Sequence, residues 1–123
     1  MTAEPVRLLW ERMEARDWNA AAEQLHPDVV VDWPNTAERY RGREDYLGMQ
    51  QAYPEGWHIE VLRIVDGGDT VVSEVRVDQG DERFFAVSFF ELAGGRIVRA
   101  VEYWSSGEPE PPPAWRATWT EPL

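Results

Sequence analysis

Glu102 sits in a run that suits a buried strand, Arg-Ile-Val-Arg-Ala-Val-Glu-Tyr-Trp, where it shares one face with Val98, Ala100 and Trp104. A carboxylate beside Ala100 and Trp104 feels desolvation, which raises its pKa and suits it to general acid or base work. A nearby Arg would pull the pKa down again. Two readings stand side by side: a proton-transfer group, or an ion pair of Glu102 with Arg76 that satisfies two polar groups in a narrow core. Glu74, Arg76 and Asp78 share one face of another strand, opposite Val71, Ser73, Val75 and Val77. Periodicity alone favours an amphipathic strand with a solvated charged face. The chemical reading aims Glu74 and Arg76 into a cavity between helices and sheet.

The aromatic residues could wall such a cavity. Seven Trp in 123 residues is unusual, and large flat rings suit both cores and pockets for apolar, ring-shaped ligands. Asp32-Trp33-Pro34 closes a short strand, a place from which a side chain can project over a pocket mouth. Trp33 is the better wall there than Asp32 is a base. Trp10, Tyr46, Tyr53 and Trp57 are core residues of which one or two could reach the cavity. His26 and His58 are far apart in sequence, and capping or solvent exposure accounts for His26. The chain has no phosphate loop, dinucleotide fingerprint, GxSxG elbow or metal-type His pair.

The bulk composition narrows the classes. A chain of 123 residues is one domain with one core. With no Cys, disulfides, thiol catalysis and thiolate metal sites are excluded. A net charge of −11 repels phosphate backbones and anionic membrane surfaces, so neither nucleic acid nor membrane is an expected partner. No apolar run is long enough to span a bilayer and no signal-peptide pattern is visible, so a soluble cytoplasmic protein is expected.

The elements that must position these residues follow from spacing. Glu4 to Arg16 reads as a helix with Val6, Leu9, Trp10 and Met13 on one stripe. Asp17 caps a second helix, with Trp18, Ala21, Ala22 and Leu25 at the same spacing, ended by His26-Pro27-Asp28. Val29 to Trp33 is a strand, Asn35 to Gly42 a loop, and Arg43 to Tyr53 a third helix. Trp57 to Val65 and Thr70 to Asp78 are strands joined by Asp66-Gly67-Gly68-Asp69. A hairpin from Phe84 to Trp104 turns at Ala93-Gly94-Gly95-Arg96, where paired glycines supply positive φ. Both faces of its strands carry large apolar groups, so the sheet should be covered on both sides, by the chain's own helices and by a second subunit. Helices first and a meander after them give an α+β domain with antiparallel neighbours. Residues 106–123 form a Pro-rich tail whose Trp115 and Trp119 should dock on this subunit or a neighbour, since two exposed Trp are costly.

The order of these pieces resembles the SnoaL-like branch of the nuclear transport factor 2-like superfamily. The likeness rests on Leu25-His26-Pro27-Asp28-Val29-Val30, Tyr40-Arg41-Gly42-Arg43-Glu44, Asp66-Gly67-Gly68-Asp69-Thr70-Val71-Val72, and Gly94-Gly95-Arg96-Ile97 followed by Glu102-Tyr103-Trp104. It covers about residues 5–105, hence a cone domain at 1–105. The resemblance implies a curved antiparallel sheet wrapped around N-terminal helices to form a cone with an apolar cavity, and a homodimer through the sheet. The acids and tyrosine of ketosteroid isomerases fall on Trp33, Leu9 and Ser88, so that chemistry is not expected. Polyketide cyclases and limonene-epoxide hydrolases have an acid on the last strand, which Glu102 matches. The hydrolases' Arg-x-Asp is spelled by Arg76-Val77-Asp78, and their water-holding residues correspond poorly to Trp33 and Asn35.

The expectation is therefore a cofactor-independent cyclase, isomerase or hydrolase acting on a small apolar or polyketide-like molecule, with a non-catalytic binding domain as the alternative. Glu102, Arg76 and Asp78 are the catalytic candidates. Trp10, Met13, Trp33, Asn35, Tyr46, Trp57, Glu74, Ser88, Phe90, Ala100 and Trp104 are the pocket candidates. No metal or cofactor is implied, because one carboxylate in a dry pocket moves protons unaided.

Overall fold

The structure, a computed structural model, describes residues 3–123. Helix α1 (Glu4–Glu14) starts with Pro5, whose fixed φ suits a first turn, and buries Val6, Leu9, Trp10 and Met13. Helix α2 (Trp18–Glu23) is capped by Asp17, whose side chain accepts from the Ala20 N–H. Helix α3 (Arg43–Ala52) follows Gly42, whose φ of +85° favours glycine. A side chain at Gly42 would also crowd the Pro27 carbonyl oxygen at 3.3 Å. That tight entry sets α3 against the sheet and delivers Tyr46 to the core.

Six strands form one sheet: β1 (Leu25–Trp33), β2 (Glu38–Arg41), β3 (Trp57–Asp66), β4 (Thr70–Gln79), β5 (Glu82–Ala93) and β6 (Arg96–Ser106). Their order is β2-β1-β6-β5-β4-β3, so β1 and β6 are neighbours inside the sheet. The chain is an α+β domain with the helices on one sheet face. The core joins the α1 stripe to Val71, Val75, Ala86, Phe90, Ile97 and Ala100. Each fully buried side chain of this kind contributes roughly 1.5–3 kcal/mol relative to exposure.

Three expectations need correction. The sheet is mixed, because β1 runs parallel to β6, which arrives beside β1 only after the rest of the meander has been laid down. Helix α2 ends at Glu23 and Leu25 is already in β1, paired with Ile97, because the Ile97 N–H bonds the Gln24 carbonyl and draws the chain into the sheet. The segment before Gly42 is not all loop: Glu38–Arg41 pairs antiparallel with β1 and covers its free edge.

The tail does not pack on its own domain. Trp115 and Trp119 are 70% and 78% exposed around a short 3-10 turn at Ala114–Arg116. The proline run cannot pair with the sheet and carries the two rings clear of it. In this single chain neither ring is covered, and docking of the tail stays an expectation. Among the described residues no helix is long and apolar enough to cross a membrane.

Candidate functional site

Glu102 is the one buried carboxylate among the described residues, at 0% exposure. Three elements aim donors at it. Trp33, at the end of β1, donates its indole N–H to Oε1 at 3.0 Å. Tyr46, from α3, donates its hydroxyl to the same oxygen at 3.0 Å. Ser88, directly opposite on β5, donates to Oε2 at 2.6 Å, a length typical of a charge-assisted O–H···O bond. Burial pushes the Glu102 carboxyl above its ordinary value, against the opposing pull of the Ser88, Trp33 and Tyr46 hydrogen bonds. Burial, and then the Glu102 charge, hold the Tyr46 phenol far above its usual range. Tyr46 is therefore a fixed donor at neutral pH, not a base.

Beside this network lies a cavity of about 220 Å³ between the helices and the concave sheet face. Its walls are Trp10, Trp33, Tyr53, Trp57, Ile59, Val77, Phe84 and Trp104, with Asn35, Thr36, Gln50 and Gln79 as the polar members. None of these carries a formal charge, and Glu102 is not among them. The Trp33 ring separates the carboxylate from the hollow, packed edge-on against Trp104 at 5.6 Å and Tyr40 at 5.1 Å between centroids. β1 ends at Pro34, which has no N–H for the ladder, and just beyond it the Asn35 side-chain oxygen accepts the Trp104 backbone N–H at 2.8 Å. That bond ties the chain after Trp33 to β6 and fixes the wall.

Of the residues proposed from sequence, Trp10, Trp33, Asn35, Trp57 and Trp104 line the cavity. Tyr46 and Ser88 instead belong to the carboxylate network, and Met13, Phe90 and Ala100 are buried core. Arg76, Asp78 and Glu74 do not belong to the site. Their strand turns Ser73 and Val75 inward, so the alternate positions face away from the helices. Arg76 pairs with Glu60 and Asp78, Asp78 with Arg83, and Glu74 with Arg63. The ion pair of Glu102 with Arg76 is absent for the same reason. Asp32 also faces outward, held by Arg39 and Arg99, and the Arg39 hydrogen bond lowers its pKa.

Sequence reasoning missed the clamp on Trp57. Arg16, at the end of α1, lays its guanidinium over the Trp57 ring 3.3 Å from the centroid. It also donates to the Trp57 carbonyl at 2.6 Å and to Glu55. Its φ of +59° is rare for a residue with a side chain, and these bonds hold it there. Nothing in the spacing marks Arg16; its position after the last stripe residue, Met13, is the only signal. Gln50, Thr36, Ile59, Val77, Gln79 and Phe84 were missed as well, because several elements bring them together. Among the described residues no group of three or more His, Asp or Glu is placed to hold a metal ion. The indole N–H groups of Trp57 and Trp104 are buried without an acceptor.

A family model described as a SnoaL-like domain matches residues 6–100. A crystal structure of a protein from Kribbella flavida DSM 17836, provisionally named a ketosteroid isomerase, is 34% identical with a TM-score of 0.91; the match covers 99% of this chain, tail included, and 89% of that one. An LEH-like epoxide hydrolase of M. tuberculosis is 21% identical with a TM-score of 0.71, over 85% of this chain and 82% of that one. A protein of Sinorhizobium meliloti, provisionally named a polyketide cyclase, is 21% identical with a TM-score of 0.70, over 80% of this chain and 93% of that one. The latter two show a common fold. Among curated proteins none matches this chain.

Proposed function

We propose, from the premise that this chain belongs to the SnoaL-like domain family, that its cavity binds a small, uncharged molecule of one or two rings. The observation that carries this reading is the lining: aromatic and neutral polar side chains, with the single buried acid kept behind the Trp33 ring. A carboxylate or ammonium ligand would lose its hydration there without a counter-charge. The size fits as well. A dry cavity of about 150 Å³ holds benzene, and pockets for drug-sized ligands span about 300–1,000 Å³; a cavity of about 220 Å³ lies between them.

A second reading, cofactor-independent general acid/base catalysis of an isomerase, cyclase or hydrolase type, has its own support. Burial raises the Glu102 pKa, and its hydrogen-bond partner Trp33 is also a cavity wall. The ketosteroid isomerase pattern gains nothing here, since Trp33, Leu9 and Ser88 stand at its three places.

Calorimetry with naphthol, tetralone and naphthoate tests the binding reading. Naphthol and tetralone should bind with micromolar affinity and naphthoate at least about tenfold more weakly. Equal affinity for naphthoate, or no binding of the neutral pair, would overturn it. Exchange of the tetralone α-proton in heavy water tests the second reading. Exchange accelerated by the chain and lost in Glu102→Gln would establish Glu102 as the base. Binding without exchange would leave a binding domain.

A further inference from the structure

The polar side chains of the cavity lie at its rim. Trp10 and Trp57 are buried, whereas Asn35 and Thr36 are exposed and Gln79 is half-buried. A ring-shaped ligand thus meets indole surface inside and keeps its polar ends at the mouth.

An amide side chain can in general offer a ligand either end, because a half-turn exchanges its oxygen and its nitrogen. At Asn35 and Gln79 that freedom is lost, since a backbone group of fixed polarity holds one end of each. The Trp104 N–H can only donate, so the atom facing it at 2.8 Å is Asn35 Oδ1. The Pro54 carbonyl can only accept, so the atom facing it at 2.7 Å is Gln79 Nε2. Opposite groups are left over. Asn35 keeps both hydrogens on Nδ2, and Gln79 keeps both lone pairs on Oε1. Among the described residues neither of these groups has a hydrogen-bond partner. Thr36 adds no donor, because its hydroxyl proton goes to Glu38. Gln50, one turn after Tyr46 on α3, has no backbone group holding its amide among the described residues, so its polarity is not fixed in this way.

The two amides also stand apart. Asn35 follows β1 and Gln79 ends β4, with β6 and β5 between those strands. One ligand atom cannot serve both. Each amide is tied to a wall of the cavity as well: Asn35 bonds the Trp104 backbone, and Gln79 pairs with Trp57, whose ring Arg16 clamps.

We propose that Asn35 and Gln79 set the ligand class, a hydroxy-ketone on two rings whose carbonyl accepts from Asn35 and whose separate hydroxyl donates to Gln79. This rests on the reading that the cavity takes a small neutral ring molecule. Asn35 and Gln79 are specificity residues in it, and the tryptophans supply contact area.

Calorimetry with four probes tests the assignment. Tetralin carries neither group, tetralone the carbonyl, tetrahydronaphthol the hydroxyl, and hydroxytetralone both, on opposite rings. In the unaltered chain each group should tighten binding about three- to tenfold, as one hydrogen bond does. Asn35→Asp keeps an oxygen for Trp104 and has no donor; Gln79→Lys keeps a donor for Pro54 and has no acceptor. The Asp variant should erase the gain from the carbonyl and spare that from the hydroxyl, and the Lys variant should do the reverse. Ratios between probes on one chain cancel any change in the walls. If Gln79→Lys fails to fold, Gln79→Met removes the same acceptor. If Asn35→Asp fails to fold, the Asn35 NH₂ signals of the unaltered chain should move downfield with the two carbonyl probes alone. A gain that survives loss of its amide, equal movement of those signals with all four probes, or substituted probes no tighter than tetralin would overturn the proposal while the cavity reading stands. Failure of all four to bind would overturn that reading, and this inference with it.

Discussion

The indole N–H of Trp33 reaches Oε1 of Glu102 across 3.0 Å while the same ring forms a wall of the cavity. One side chain thus both shields the buried acid and shapes the ligand space. Trp33→Phe keeps a ring in place and removes the donor. The expected cost is about 1–2 kcal/mol by denaturant unfolding, since Oε1 keeps Tyr46 but loses one of its two partners. Affinity for a neutral ring ligand should change less than tenfold.

Glu102 bonds to β1, α3 and β5 at once and lies on β6. Glu102→Gln should be mild, within about 1 kcal/mol, because the amide oxygen can accept from Trp33 and Tyr46 while its NH₂ donates to Ser88. Glu102→Ala should cost about 3–5 kcal/mol, because it opens a void and strands three donors. A Gln variant as unstable as the Ala variant would show that the negative charge, not the hydrogen-bond pattern, holds the core.

The raised Glu102 pKa fixes a sign for stability against pH. The folded chain holds this proton more tightly than the unfolded one, so the contribution is full below the ordinary Glu value of 4.5 and is lost as pH rises through the folded pKa. Asp32, whose pKa is lowered first of all by the Arg39 hydrogen bond, acts oppositely and loses its contribution as pH falls through its folded value. Comparing wild type with Glu102→Gln isolates the first effect. The difference in unfolding free energy should move in favour of Gln as pH rises above 4.5. A difference that is flat with pH would contradict it.

Arg16 holds Trp57 by stacking and by a bond to its carbonyl, and the cavity depends on that ring. Arg16→Lys keeps the charge and loses the planar fork. We expect a loss of about 1–2 kcal/mol in stability and a several-fold weaker ligand affinity. By contrast Asp32→Asn, on the outer face, should cost no more than about 1 kcal/mol and leave ligand affinity unchanged, because partly exposed ion pairs contribute little. Parallel calorimetry and denaturant titration read both.

How much of this was legible in sequence depended on range. The β5–β6 hairpin was readable because Gly94 and Gly95 mark the turn, with φ of +59° and +76°, between two runs of strand-forming residues. The inward aim of Glu102 followed from its shared face with Ala100 and Trp104. Its partner Ser88 did not follow. Continuing the pairs Ala93 with Arg96 and Leu92 with Ile97 would set Ser88 opposite Val101; the bulge between Glu91 and Leu92 shifts the register and sets it opposite Glu102. No residue type announces that bulge. Trp33 and Tyr46 reach Glu102 from 69 and 56 residues away, beyond any local pattern. Arg76 and Asp78 alternate with Ser73 and Val75 along β4, so the period of two already sets them on the outer face, whatever the likeness of Arg76-Val77-Asp78 to a hydrolase motif.

The cavity claim is tested most directly by the indole N–H signals in a nitrogen–proton correlation spectrum, since seven Trp give seven reporters. During titration with tetralone, the signals of Trp10, Trp33, Trp57 and Trp104 should shift saturably. Those of Trp18, Trp115 and Trp119, which do not line the cavity, should stay in place. Shifts confined to Trp115 and Trp119, or none at the four walls, would contradict the account.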